Sequence, residues 1–251
     1  MKKDMIKYYA EIGLNHLGDE EKCYKMIKSA VLAGVDGITL QVWPKNYYDN
    51  SKPFRRELSV NFYKKISNYL KKKKITFGIA LSEEEVVHRF KNINVDFWKV
   101  LSFGFYNKNL ISLLLRKNKK IFLSTGVASI KDIKKVSVKN RKLEFIHTTL
   151  SSKISDANLN AINIMKNILK NKKISFSLHS KDDCVVATSI ALGANPIFFY
   201  VKNDNKKFYP DDAHAIRLSK LRKKIDFWKK IEISLGTGIK KNLKIPKWVY
   251  A

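Results

Sequence analysis

Eight short apolar runs alternate with eight amphipathic stretches, most of the runs end in a polar residue, and the chain is 251 residues long. Together these observations predict a (β/α)8 barrel, a TIM barrel. Regular strand–helix alternation builds a parallel sheet with its helices outside. A barrel of this kind needs roughly 250 residues, so one domain, residues 1–251, accounts for the length. The polar exits fall at the C-terminal ends of the strands, where such barrels place their active site.

The first run, Tyr8–Ile12, carries Glu11 near its end, and a loop with Asn15 and His16 follows. Asp19 is placed to cap the first helix, and Glu20 and Glu21 suit its positive end. Cys23, Met26, Ile27, Ala30 and Val31 then recur at helical spacing up to Gly34. The second run, Gly37–Leu40, exits at Gln41. An irregular stretch from Val42 to Glu57 follows, with Pro44, Tyr47, Tyr48, Asp49 and Pro53; connections this long are usually functional. Ser59 caps a predicted helix through Leu70. The third run, Ile75–Ile79, exits at apolar Ala80 and Leu81, and Ser82 before Glu83, Glu84 and Glu85 signals a helix start.

The fourth run, Phe97–Val100, contains Lys99 and leads to Ser102; Asn109 opens a short helix ending near Lys117. The fifth, Lys120–Leu123, exits at Ser124, and Ser129 precedes a helix. The sixth, Leu143–Ile146, exits at His147, and Ser155 precedes a helix running to about Leu169. The seventh, Ile174–Phe176, exits at Ser177 and His179, and Ser180 precedes a helix to Leu192. The eighth, Pro196–Tyr200, ends in Tyr200. Asp211 or Asp212 precedes a long last helix to about Leu235, which His214 begins, and a basic tail closes the chain.

The formal net charge is +28, and only seven of the 50 basic residues are arginine. Lysine is spread over nearly every helix and loop, and Asn and Ile are also frequent. This lysine-rich pattern is read as codon composition rather than as a nucleic-acid surface, because charge speaks to solubility and non-specific binding. No zinc-finger, RRM or KH pattern argues otherwise. No apolar run approaches the roughly 20 residues that span a bilayer, and Glu11, Asn15 and His16 interrupt the only N-terminal run that a signal peptide would use. Cys23 and Cys184 form no CxxC pair and are expected as reduced, buried thiols of a cytoplasmic protein.

Several exits carry chemistry. Glu11 on a barrel strand, with Asn15 and His16 in the next loop, suits a polar substrate or a metal. Lys99 inside an apolar strand is costly to bury unless it meets an anion or a partner, so it points to phosphate or carboxylate binding, Schiff-base chemistry or an ion pair. Ser124-Thr125-Gly126 before a helix start reads as an anion cradle or as a plain capped turn. His147 and His179 end adjacent strands, as an acid–base or metal pair would. His88, on a helix, is expected to be exposed.

These segments, in this order, resemble the sialic acid synthase family: N-acetylneuraminate synthase and its relatives for legionaminic and pseudaminic acids. The resemblance is carried by Ala10-Glu11-Ile12-Gly13 with Asn15-His16 and Gly18-Asp19, by Trp98-Lys99-Val100-Leu101-Ser102, and by Leu123-Ser124-Thr125-Gly126. Phe145-Ile146-His147, Phe176-Ser177-Leu178-His179-Ser180, Ala191-Leu192-Gly193-Ala194, Tyr209-Pro210-Asp211 and Leu235-Gly236-Thr237-Gly238 with Lys240-Lys241 extend it over nearly the whole chain. It implies a transferase that condenses phosphoenolpyruvate with an N-acylated hexosamine on a divalent metal, Mn or Mg, in surface-carbohydrate biosynthesis. Lys99, Ser102, Ser124 and Ser177 would hold phosphoenolpyruvate, Gln41 and Asp211 would touch the sugar, Glu11 would serve the reacting centre, and His179 would be catalytic as a metal ligand.

This sequence departs from the family pattern in places. Thr39 stands where the family has a strand-two lysine, Leu178 where it has an aspartate, and Tyr200 where it has the second metal histidine. Gly78-Ile79-Ala80-Leu81 replaces a turn with hydroxyls. No segment here corresponds to the family's C-terminal antifreeze-like domain, through which its dimers form, so a homo- or hetero-oligomer stays open. The second reading of the same residues is a catalytically degenerate pseudoenzyme that binds a sugar or a partner synthase.

Overall fold

The computed structural model describes residues 5–139, 142–170, 172–204 and 208–240; Met1–Asp4 and the basic tail from Lys241 lie outside the described residues. The predicted barrel is present. Its strands are β1 (Tyr8–Ile12), β2 (Gly37–Gln41), β3 (Thr76–Leu81), β4 (Phe97–Val100), β5 (Lys120–Ser124), β6 (Leu143–His147), β7 (Ile174–Leu178) and β8 (Ile197–Lys202). Each pairs in parallel with the next, and β8 pairs back onto β1 through Tyr9↔Phe198 and Glu11↔Tyr200, closing the sheet. The helices are α1 (Glu20–Leu32), α2 (Val60–Lys72), α3 (Glu84–Arg89), α4 (Lys108–Leu115), α5 (Ile130–Lys139), α6 (Asn160–Ile168), α7 (Asp183–Ala191) and α8 (Leu218–Ser234). None of them is long and apolar enough to cross a membrane.

Caps explain where the helices begin, and they correct several expected starts. Asp19 accepts from Lys22 N at 2.9 Å and Ser59 from Phe62 N at 3.1 Å, as their positions predict. Ser129 likewise caps α5, accepting from Asp132 N at 3.2 Å, but Ser82, Ser155 and Ser180 belong to turns. Glu83 rather than Ser82 precedes α3, Asn107 rather than Asn109 sets the start of α4, and Asp182 rather than Ser180 caps α7. The helix expected from Asp156 is broken: a 3-10 turn at Ile154–Ala157 ends in left-handed Asn158, and α6 starts only afterwards. The last helix starts later than Asp211 or Asp212. Residues 208–215 form a turn, β9 (Ile216–Arg217) pairs with the end of β8, and only then does α8 begin. The stretch after β2 is partly ordered by 3-10 turns at Lys45–Tyr47 and Pro53–Arg55. Cys23 is buried under α1, whereas Cys184 is exposed, because α7 packs through Val185, Val186, Ser189 and Ile190.

The apolar residues fall into two groups. The larger lies between the barrel wall and the helices; Trp228 of α8, for instance, stacks on Tyr8 at 5.7 Å and packs on Phe199 at 5.3 Å. The smaller fills the barrel itself: Tyr9, Phe97, Phe122, Ile146 and Phe198. Its ring centroids lie 5.1–6.4 Å apart, several edge to face. Space for four rings comes from β2 and β3, which place glycine opposite them. A Cβ on Gly78 would stand 2.2 Å from the Phe97 ring, and one on Gly37 would stand 2.7 Å from Tyr9. Gly78→Ala is therefore expected to lower stability by about 1–3 kcal/mol through overpacking, read from the urea midpoint. An unchanged midpoint would mean that the ring layer is loose.

Candidate active site

Strand alternation decides what stands above the ring layer. Successive side chains point to opposite faces of a strand, so the residue two positions on from each ring lies above it, inside the barrel. Above Tyr9 comes Glu11, above Phe97 Lys99, above Phe122 Ser124, and above Phe198 Tyr200. The same step from Ile146 reaches Thr148, and on β7 it reaches Ser177 and then His179. A cavity of about 210 Å³ opens over this polar layer at the C-terminal mouth. Gln41, Ser102, Asp211 and His214 complete its polar lining, and Trp43, Leu101, Phe103 and Leu150 are among its apolar lining.

At the bottom of the mouth Lys99 Nζ forms an ion pair with the Glu11 carboxylate and lies 3.4 Å from Ser177 Oγ. Glu11 is 0 % and Lys99 2 % exposed, so neither charge has water to fall back on. The ammonium also sits 4.9 Å from the Phe198 ring centroid, a favourable cation–π contact. Tyr200 accepts from Gln41 Nε2 at 3.5 Å. Burial, with the Glu11 and Asp211 carboxylates nearby, holds its phenol far above the usual range, so it remains a neutral hydroxyl.

Asp211 reaches the cavity from the turn after β8. Asn15 holds the turn in place: its Oδ1 accepts from Asp211 N at 3.2 Å, and its Nδ2 donates to Val201 O at 2.9 Å. Gly13 leaves room for the carboxylate, since a Cβ there would stand 2.6 Å from Asp211 Oδ2. Burial first, and then Glu11, push the Asp211 carboxyl up to about 7.

His179 is oriented by Thr148. The single hydroxyl proton of Thr148 goes to Ser177 O at 3.0 Å, so at the 2.8 Å contact with His179 it is the ring Nδ1–H that donates. That leaves Nε2 of His179 with a free lone pair. The His214 ring lies 4.7 Å from that of His179, and its Nε2 is buried without a partner. Burial lowers both imidazoles, to about 3 for His179 and about 4 for His214, with Lys99 adding to each and His214 adding to His179. Both are neutral at physiological pH. Ser124 Oγ, Asp211 Oδ2 and Glu11 Oε1 are likewise buried and unpartnered, a concentration of unsatisfied groups that fits a ligand site. Replacing Thr148 with valine is expected to release the His179 tautomer and to cost about 10- to 100-fold in ligand affinity, as loss of an orienting partner does. Imidazole 15N chemical shifts of His179 would read the tautomer directly.

Of the residues singled out in the sequence, Gln41, Lys99, Ser102, Ser124, Ser177, His179 and Asp211 line the cavity, and Glu11 lies just beneath it on Lys99. Asn15 acts one step back, through Asp211. His16 does not reach the cavity: its Nδ1 accepts from Gly18 N at 2.9 Å, and burial lowers it to about 4. His147 is a correction. With Ile146 inside the barrel, His147 must face out, and its Nε2 bonds Ala157 O at 2.9 Å under the 3-10 turn. The pair with His179 is made by His214 instead, a residue given no role above. Of the two readings of Ser124-Thr125-Gly126, the hydrogen bonds are those of the plain turn before a capped helix. Thr125 Oγ1 donates to Ile146 O at 2.9 Å and Gly126 N to Ser102 Oγ at 3.1 Å, so the turn spends its donors internally and only Ser124 Oγ is free.

The chain is matched over residues 26–240 by the model of the NeuB family. It is 25% identical to the N,N'-diacetyllegionaminic acid synthase of Campylobacter jejuni over 97% of this chain and 81% of that protein. It is 24% identical to the N-acetylneuraminate-9-phosphate synthase of Mus musculus over 93% of this chain and 72% of that protein. Among solved structures it is similar to the N-acetylneuraminic acid synthetase of Leptospira borgpetersenii in complex with citrate. That likeness has a TM-score of 0.85 at 25% identity and covers 96% of this chain and 88% of the other.

Proposed function

The chain belongs to the NeuB family, and from that premise we propose that it is a nonulosonic acid synthase of carbohydrate biosynthesis, condensing phosphoenolpyruvate with the open-chain aldehyde of an N-acylated hexosamine. The observation that carries this reading is the polar layer at the barrel mouth. Lys99, Ser102, Ser124 and Ser177 supply donors to a cavity that Gln41, His179, Asp211 and His214 also line. The names of its relatives, synthases of legionaminic acid and of N-acetylneuraminate 9-phosphate, support the same class.

In this reading the phosphate and carboxylate of phosphoenolpyruvate take the hydroxyls of Ser102, Ser124 and Ser177 and the remaining N–H bonds of Lys99. Glu11 fixes that ammonium at the floor of the site. Gln41 and Asp211 hold the sugar hydroxyls, and Trp43 and Leu150 give its N-acyl group an apolar wall. The enol carbon then forms a carbon–carbon bond with the aldehyde carbon, water adds to the donor's second carbon, and inorganic phosphate leaves. Asp211, whose carboxyl sits near 7, is matched to proton transfer at neutral pH.

The donor set also fits a divalent metal. No three His, Cys, Asp or Glu side chains among the described residues converge tightly enough to hold an ion by themselves, but His179 and His214 offer neutral imidazoles, the first oriented through Nδ1 by Thr148 and the second with an unpartnered Nε2. Imidazole nitrogen suits transition metals better than Mg2+, which favours the Mn of the two metals. Such an ion, when bound, supplies Lewis-acid polarisation of the aldehyde. The unpaired cysteines suit a reducing compartment, and the reading sets the reaction in the cytoplasm.

The test is calorimetric titration with phosphoenolpyruvate, with and without Mn2+, followed by a phosphate-release assay over a panel of N-acyl hexosamines. Metal-dependent binding at micromolar strength and phosphate release with at least one sugar are expected. Absence of phosphate release with every sugar would overturn the reading.

A further inference from the structure

We propose that His214, on the turn between β8 and β9, is a metal ligand paired with His179, giving this chain a divalent-cation site in which that turn supplies the second imidazole. The inference rests on the reading of the cavity as a synthase site and adds to it a residue that strand positions alone do not reveal.

Three observations point to His214. The first is spacing. A metal bound at an imidazole nitrogen at about 2.0–2.1 Å lies about 3.2 Å from the ring centre, so two such rings on one ion at ordinary bond angles have centres about 4.5–5.3 Å apart. The His179 and His214 centroids are 4.7 Å apart with their planes inclined at 55°, so the rings are not stacked face to face. The second is saturation. Thr148 occupies Nδ1 of His179, and His214 Nε2 is buried with no partner, so each ring has a nitrogen lone pair or N–H still to satisfy. Nearby, Asp211 Oδ2 is a further unpartnered buried oxygen on the wall of the same cavity.

The third is support. The turn that carries His214 is held at several points, as a ligand-bearing segment must be. His214 N and Ala215 N donate to Asp211 O at 3.1 and 2.8 Å, the Asp212 carboxylate pairs with Lys202, and Asn15 anchors Asp211. Tyr200 fills the strand position next door. Its ring meets His214 edge-on at 4.7 Å and lies 5.5 Å from His179, forming a wall against which both imidazoles are set. A tyrosine there blocks an imidazole from the strand and leaves the turn as the source of the second nitrogen.

The experiment is a Co2+ titration of the chelator-treated protein, followed by visible absorption and calorimetry. It compares the wild type with His179→Ala, His214→Ala and His214→Gln, the last keeping a polar side chain should alanine loosen the turn. Melting curves confirm that each variant is folded. One Co2+ per chain with ligand-field bands is expected for the wild type, with affinity falling about 10- to 100-fold or more in all three variants. Wild-type affinity in folded His214→Gln, alongside loss in His179→Ala, would overturn the proposal, and so would a wild type that binds no Co2+. The outcome is independent of turnover. His214-dependent Co2+ binding without phosphate release would sustain the metal site and sink the synthase reading, while phosphate release with His214-independent binding would do the reverse.

Discussion

Lys99→Met is expected to destabilise the protein by about 3–5 kcal/mol, the usual result of removing one partner from a buried ion pair. Glu11 would be left with no exposure, with one of its oxygens already unpartnered and the Asp211 carboxylate and Tyr200 as neighbours. Urea titration gives the number, and the double variant Glu11→Leu/Lys99→Met decides its meaning. Replacing a whole buried pair with apolar groups of similar size is often neutral or stabilising by about 1–4 kcal/mol. The double variant should therefore recover most of the loss, while phosphoenolpyruvate binding stays abolished in both. A single variant that loses less than about 1 kcal/mol would mean that Glu11 has another way to be satisfied, and the floor of the site would need to be redrawn. If the cycle runs as expected, the pair is retained for its place in the cavity and not for stability.

The second large effect is acid lability above the carboxylate range. His16, His179 and His214 sit at about 4, 3 and 4 in the folded protein because burial disfavours their charge. In the unfolded chain each returns to about 6.5. As pH falls from about 6.5 towards 4, the unfolded state takes up protons that the folded state refuses, so stability falls. Asp211 works in the opposite direction. Its folded value is raised to about 7 from 3.8, so between those values the folded state keeps a proton that the unfolded state gives up, and stability there rises on acidification. Near pH 5 the balance is about two extra protons on the unfolded chain, a slope on the order of 2–3 kcal/mol per pH unit. Urea midpoints at pH 7, 6 and 5 in a chelating buffer would show the decline. A flat profile would mean that the three imidazoles are not held neutral.

The barrel was legible because its signal is physical and repeated. The strands are buried on both faces over most of their length, so each reads as a largely apolar run, and all eight lie within two residues of their expected bounds. Helix starts were less legible. Ser and Asp cap helices and also build turns, and Ser82, Ser155, Ser180 and Asp211 do the latter. Most of the mouth was readable as the polar ends of strands. Where that failed, parity was the cause: the end of β6 offers His147 and Thr148 side by side, and only the inward direction of Ile146 tells which of them faces the cavity. His214 was hidden for another reason. It lies on no strand, and the fold of residues 208–217, set by Asp211, Asp212 and the β8–β9 pairing, is what brings it beside His179.

The ring layer inside the barrel has a bearing on descent. Tyr9, Phe97, Phe122 and Phe198 lock four strands together beneath the mouth. Foldability is thus secured one storey below the residues that meet a ligand. Substitutions at mouth positions such as Thr39 or Tyr200 therefore leave the closure of the barrel untouched. Selection on the mouth is then free to follow its ligand without re-inventing the scaffold.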